Sequence, residues 1–209
     1  MKYRLLIRKL NIIEEKFITS DKIKEYCLIL KINYLDTIKY LVRHKYLHSI
    51  MRGIFYNPTL SERKFNSFDI NYREVIAKAL EIKGIKNWYF GLETGIKFNN
   101  LTHEFYVIDF IINDKIGREK PIEVFGNKIK LVKIKSELFR FGIKKLKKIR
   151  YSDIEKTVLD MIYLKRYSGL DNNTIANYIM PFIEHCSKEK LKRYAKKYNK
   201  KMENFVKSL

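Results

Sequence analysis

The sequence has only two cysteines and no long apolar run. Cys27 and Cys186 both fall within helical patterns, and so sparse a pair cannot build a disulfide framework. A helix that crosses a bilayer needs about 18 consecutive apolar residues, and no stretch approaches that length. The first residues, MKYRLLIRKLNIIEEKF, interleave charged and apolar side chains, unlike the apolar core of a signal peptide. We therefore expect a cytoplasmic protein with reduced, core-packed cysteines and no membrane partner.

Familiar catalytic motifs are also missing. The sequence has no glycine-rich phosphate loop, no G-x-S-x-G elbow and no H-E-x-x-H motif. No cysteine lies at zinc-ligand spacing from any of its four histidines, which are His44, His48, His103 and His185. We therefore expect a protein that is not an enzyme and that needs no metal or cofactor.

Two carboxylates leave one catalytic alternative open. Asp109 and Glu123 fall on successive predicted strands, and acidic residues on adjacent strands hold Mg²⁺ in nucleases. Such nucleases usually place a lysine just beyond the second acid, but here Val124 and Phe125 intervene before Gly126. A metal-dependent nuclease, or another nucleic-acid-processing enzyme that uses this pair, remains the alternative hypothesis.

Acidic residues are scarce relative to basic ones. The 209 residues include 44 Lys and Arg against 23 Asp and Glu, which gives a formal charge of +21. Such an excess attracts polyanions, most commonly nucleic acid and next an anionic membrane surface. The hydrophobic fraction of 46% is sufficient for a packed core, and the length fits one large or two small domains.

The first 60 residues combine helical and strand patterns. Apolar residues at helical spacing predict helices over 6–17, 21–30 and 33–44. The third of these would turn Leu35, Ile38 and Leu41 inward. Strands are predicted over 46–50 and 54–56, joined by a turn at 51–53 in which Gly53 tolerates a positive φ. Three short helices followed by a hairpin predict a winged helix-turn-helix over residues 1–60.

The third predicted helix is the expected DNA-reading element. In a winged helix-turn-helix it enters the major groove of double-stranded DNA. Arg52, at the hairpin tip, would contact a phosphate or the minor groove. The outer face of the helix would carry the candidate DNA-binding residues Thr37, Lys39, Tyr40, Arg43 and His44. The alternative is that these are ordinary solvated side chains.

The rest of the chain alternates strand and helix patterns. A polar linker is predicted over 61–70, followed by a mixed α/β domain over 69–209 with a small sheet and several helices. Predicted strands cover 88–90, 105–112, 121–125, 128–135 and 148–151, and predicted helices cover 72–83, 91–99, 154–164, 172–185 and 187–207. The expected fold class is α+β.

Three short segments carry a family resemblance. They are YFGLETG at 89–95, NLTH at 100–103 and SDIEKTVLD at 152–160. With them, the chain resembles the AbiEi antitoxin family of bacterial and archaeal toxin–antitoxin and phage-defence systems, over nearly its whole length. Glu93 departs from the pattern, which usually has an aromatic or small residue there, and the chain is more basic than many members.

The resemblance implies a two-part function. The winged helix would bind inverted repeats in its own promoter as a transcriptional autorepressor. The C-terminal domain would counteract a nucleotidyltransferase-like toxin, in the type IV manner that forms no stable complex.

The third segment has a structural explanation. Ser152 and Glu155 have capping-box spacing, and carboxylates in the first turn suit the helix dipole. Asp160 is expected to pair with Lys156 or Arg166. We therefore assign a structural role to Ser152, Asp153, Glu155, Thr157 and Asp160.

Two basic runs complete the pattern. Each is either a solvated face or a set of phosphate contacts to DNA or RNA. The run before the third segment is the candidate antitoxin or phosphate-contacting surface and comprises Lys144, Lys145, Lys147, Lys148 and Arg150. The second run lies along 188–201, opposite an apolar stripe that starts at Leu191.

Overall fold

A computed structural model describes residues 2–104 and 106–209. Within those residues the fold is α+β, with ten α-helices, one 3₁₀ helix and two β-sheets, which confirms the expected fold class. None of the described helices is long and apolar enough to cross a membrane. The chain forms two compact units, Met1–Gly84 with Ile122–Asn127, and Ile85–Pro121 with Lys128–Leu209.

The first unit combines helices with a three-stranded antiparallel sheet. The strand order is β1-β3-β2, and its apolar core includes Leu6, Ile23 and Leu41. Besides the segment Ile122–Asn127, its elements are α1 (Lys2–Ile12), β1 (Phe17–Thr19), α2 (Ser20–Leu30), α3 (Tyr34–Arg43), β2 (His48–Met51), β3 (Ile54–Tyr56), α4 (Leu60–Phe65) and α5 (Tyr72–Ile82).

Strand β1 corrects the predicted extent of the first helix. The helix was expected over 6–17, but α1 ends at Ile12 and Phe17 pairs with Tyr56 of β3. Ile18 is fully buried, between two partly exposed neighbours. Helical spacing from Ile13 to Phe17 was misleading because the backbone of this segment bonds to a strand far along the chain.

The predicted linker 61–70 also contains a helix. Thr59 and Glu62 form a capping box at the start of α4, and the buried Glu62 carboxylate accepts hydrogen bonds from Tyr56 Oη at 2.7 Å and the Asp69 amide at 3.1 Å. Burial alone would raise the pKa of Glu62, but these hydrogen bonds together lower it to about 2. The polar composition of 61–70 suggested a linker, but its buried polar groups form hydrogen bonds with one another and with Tyr56.

The second sheet has six strands in the order β6-β7-β5-β4-β9-β8. Strand β5 is antiparallel to β4 and parallel to β7, while β9 is parallel to β4 and antiparallel to β8. The strands are β4 (Trp88–Phe90), β5 (Ile108–Asn113), β6 (Ile122–Val124), β7 (Asn127–Lys133), β8 (Ile143–Leu146) and β9 (Ile149–Ser152). Phe105, where one strand was predicted to begin, lies outside the described residues.

Helices of the second unit pack around a large apolar core. This core includes Tyr89, Ile112, Val158, Ile162 and Phe205. The helices are α6 (Leu92–Phe98), the 3₁₀ helix (Ser136–Phe139), α7 (Ile154–Tyr167), α8 (Asn172–Ile183), α9 (Lys188–Ala195) and α10 (Lys200–Ser208).

Three elements of this unit differ from expectation, and the first is the 3₁₀ helix Ser136–Phe139, which was not predicted. Strand β8 was not predicted, since its segment was treated as part of a basic run. The long final helix is two helices, because Asn199 turns the chain and caps α10 by accepting from the Met202 amide at 2.9 Å.

Candidate nucleic-acid interface

Helix α3 presents a basic outer face. Lys39, Arg43 and His44 are exposed there, and Lys39 and Arg43, four residues apart, lie one above the other on the helix. No ion pair among the described residues engages either cation. Both are therefore available to phosphates or base edges.

Two residues of α3 lie on the opposite side from the one predicted. Thr37 was expected on the outer face but is fully buried, and its Oγ1 donates to Asn33 O at 2.5 Å. Leu35 was expected inside but is 63% exposed. The four-residue spacing between Thr37 and the buried Leu41 was the signal that this threonine shares the inner face.

Tyr40 is held in a row of rings rather than free on the surface. It is half-buried, and its ring stacks on Tyr3 of α1, with centroids 4.6 Å apart and an interplanar angle of 9°. The rings of His44 and Tyr46 lie 4.4 and 6.2 Å from it. This row fixes α3 against α1, and the contribution of Tyr3 was missed in the sequence because no spacing rule links it to Tyr40.

The β2–β3 turn carries the exposed Arg52. Gly53 follows it with a φ of +81°, and the Gly53 carbonyl accepts from the Ser20 amide at 2.9 Å. Ser20 Oγ also accepts from Tyr34 Oη, at 2.8 Å. Ser20 therefore links the turn that carries Arg52 to Tyr34 at the start of α3.

The basic run 144–150 forms the β8–β9 hairpin. All five of its predicted cations are exposed, and Lys145 lies directly opposite Arg150, where like charges repel. Arg150 is partly used by the fold, because its Nη1 donates to Lys86 O at 2.9 Å and its guanidinium lies 5.7 Å from the centre of the Trp88 ring. The hairpin thus concentrates positive charge on an edge strand.

The five named residues of the segment 152–160 are buried, but the predicted capping box of Ser152 and Glu155 is wrong. The N-cap of α7 is Asp153, whose Oδ1 accepts from the Lys156 amide at 2.9 Å. Ser152 is instead buried, with its Oγ 2.6 Å from Thr157 Oγ1. Glu155 accepts from the Ser187 amide and pairs with Lys190 at 2.8 Å. Spacing alone could not identify the cap because the chain enters the helix one residue later.

Asp160 was expected to pair with Lys156 or Arg166, and in the structure it pairs with Lys156. Both side chains are fully buried, 2.8 Å apart, and Tyr89 and Tyr198 donate to the carboxylate at 2.8 and 2.6 Å. Burial lowers the pKa of Lys156, although Asp160 opposes that effect. Burial also raises the pKa of both tyrosines. The network joins β4, α7 and the α9–α10 turn, and its two charged side chains are fully buried.

The two carboxylates of the nuclease alternative do not share neighbouring strands. Strand β7 lies between β5, which carries Asp109, and β6, which carries Glu123. Asp109 is buried and accepts from Thr94 Oγ1 at 3.3 Å, whereas Glu123 is exposed. Within the described part of the chain, no group of three or more His, Cys, Asp or Glu side chains could hold a metal ion. The adjacent-strand premise was therefore wrong.

Comparisons with known proteins give a fold but no family. No family model and no curated protein matches the chain. Among solved structures, the crystal structure of the RV2827C protein from Mycobacterium tuberculosis is similar, with a TM-score of 0.56 and 11% sequence identity. The match covers 99% of this chain and 75% of that one. At this identity the likeness shows the fold alone.

Proposed function

We propose that the chain is a cytoplasmic transcriptional autorepressor and antitoxin of the AbiEi type, which acts without catalysis and without a cofactor. Its first unit would be a winged helix-turn-helix that binds an inverted-repeat operator in double-stranded DNA. Its second unit would counteract a nucleotidyltransferase-like toxin without forming a stable complex.

One observation carries the DNA-binding part. Lys39 and Arg43 of α3 are exposed and form no ion pair among the described residues, and Ser20 links the start of α3 to the β2–β3 turn that carries Arg52. The element order, with a short strand between the first two helices and a hairpin after the third, supports the proposal of a winged helix. Such a fold places its third helix in the major groove and its hairpin along the backbone. The charge of +21 supports a polyanionic partner.

Operator binding by the full chain tests this part. We expect K39Q/R43Q to weaken binding to a duplex from upstream of its own gene at least about 10-fold. The logarithmic salt slope should fall by about 2, since each lost phosphate contact removes about 0.9. The matched control is K64Q/K83Q, which removes two exposed charges elsewhere in the unit. Equal affinities of the two variants, measured by fluorescence anisotropy, would refute the assignment of α3.

The antitoxin part is supported by the resemblance of 89–95, 100–103 and 152–160, and its test is growth rescue. Co-expression of the full chain with a nucleotidyltransferase-like toxin encoded beside it should restore growth. K39Q/R43Q should rescue equally well, because the antagonism would reside in the second unit. Failure of the unaltered chain to rescue would contradict this half of the proposal.

The basic β8–β9 hairpin is the proposed antitoxin or phosphate-contacting surface. Lys145 and Lys147 are exposed, so K145Q/K147Q should leave the fold intact. Lost rescue with unchanged operator binding would assign the hairpin to the antagonism of the toxin. A smaller salt slope with intact rescue would make it an additional DNA contact.

A further inference from the structure

An open groove runs along the second unit beside the end of α7 and the start of α10. Its volume is about 390 Å³. A second groove of the same volume also has Arg166 and Lys201 in its lining, so the two grooves adjoin, and we call the pair the channel. The first groove is lined by Lys135, Tyr163, Arg166, Tyr167, Asn199, Lys201 and Met202.

The charge in this channel is of one sign. Lys135, Arg166 and Lys201 line it, and none of the described lining side chains is acidic. No ion pair among the described residues engages these three cations. The Arg166 guanidinium is held 5.3 Å from the centre of the Phe205 ring, which leaves its N–H groups for an anion.

An exposed aromatic ring accompanies the cations. Tyr167, the last residue of α7, is 86% exposed, which is unusual for so large a side chain. Asn172 and Asn204 line the second groove, and their amides can donate and accept hydrogen bonds. A cationic track beside an exposed ring is the combination that binds single strands, since every base offers a face for stacking.

We propose that this channel binds single-stranded nucleic acid, with Lys135, Arg166 and Lys201 on successive phosphates and a base stacked on Tyr167. A duplex offers no free base face to Tyr167, because its bases are already stacked inside the helix. The three cations of the first groove, with the amides of Asn172 and Asn204 in the second, offer more contacts than a single phosphate uses, which favours a strand over a free mononucleotide. This activity goes beyond the proposed operator binding and uses none of the residues of α3.

Anisotropy of fluorescein-labelled dT12 and rU12 tests the phosphate contacts in the full chain. We expect K135Q/K201Q to weaken binding at least about 5-fold and to reduce the logarithmic salt slope by about 1.4, at about 0.7 per phosphate on a single strand. K135Q/K201Q does not change the contact between Arg166 and the Phe205 ring, so we expect it to fold like the unaltered chain. The control, K115Q/K120Q, removes two exposed charges of the same unit that lie outside both basic runs and do not line the channel. Equal effects of variant and control would overturn the proposal.

The ring is tested separately. Y167A should weaken binding to either oligonucleotide by about 5- to 100-fold, whereas Y167F should bind like the unaltered chain. Unchanged binding by Y167A, or competition by free TMP as effective as that by unlabelled dT12, would also overturn the proposal. K39Q/R43Q should keep its affinity for the single strands, so failure here and failure of operator binding are distinguishable.

Discussion

Replacing Lys156 with methionine removes a positive charge from a site where it is completely buried. The ammonium lies 2.8 Å from Asp160 and is surrounded by the rings of Tyr89, Phe141 and Tyr198, whose centres are 5.1, 4.9 and 5.0 Å away. Loss of one partner of a buried pair typically costs about 3–5 kcal/mol. Two tyrosine hydroxyls still donate to the carboxylate, so we expect the lower end of that range.

The double variant K156M/D160N should be less damaging than K156M. It buries no charge, and the asparagine oxygen still accepts from a tyrosine, so the expected cost is about 1–2 kcal/mol. For a chain of this size, a cost of 3 kcal/mol lowers the Tm by about 6–12 °C.

Urea denaturation of the two variants and of D160N completes a double-mutant cycle. K196M makes the same substitution as K156M at an exposed lysine, and we expect it to be neutral. If the losses of unfolding free energy in K156M and D160N simply add up in the double variant, or if the double variant is less stable than K156M, the two charges do not compensate each other.

Two further predictions concern other buried groups. His48 packs against the rings of Phe68 and Phe125, and its pKa is lowered by burial and then by Lys45. The unfolded chain therefore binds a proton at His48 more readily than the folded chain does. The Tm should stay constant above about pH 6.5 and fall as the pH drops below it. An equally steep fall of the Tm with pH in H48Q would contradict this. A Cβ on Gly95 would lie 2.6 Å from Thr157 Oγ1, so G95A should cost about 1–3 kcal/mol in urea denaturation, and an unchanged midpoint would argue against that close packing.

Much of the helical structure was predictable because its signals are local. Helices α2, α3, α5 and α6 lie within a few residues of their predicted bounds, since apolar spacing and capping act between residues of the same turn. The pairing of Lys156 with Asp160 was predictable for the same reason, as these residues are four apart on one helix. The β2–β3 hairpin followed from its turn, where Gly53 adopts a positive φ.

Strands β1 and β8 and the mutual capping were not predictable. Strand β1 follows apolar spacing typical of a helix and β8 lies in a basic run, and each is defined by its partner strand. Thr37 carries a polar group that suggested exposure, but its hydroxyl bonds to the preceding turn. Asp153 rather than Ser152 caps α7 because the path of the chain out of β9 decides where the helix begins.

By itself, the sequence determined a strongly basic chain, its amphipathic helices and the hairpin after the third of them. Only the tertiary structure decided which cations share a surface. Lys135 and Lys201 are far apart in sequence and line one groove. Lys190 lies in the same basic run as Lys201, 188–201, but is paired with Asp153 and Glu155. The physical reason is that periodicity is set by neighbours along the helix, while a surface is set by contacts that exist only once distant segments have packed together.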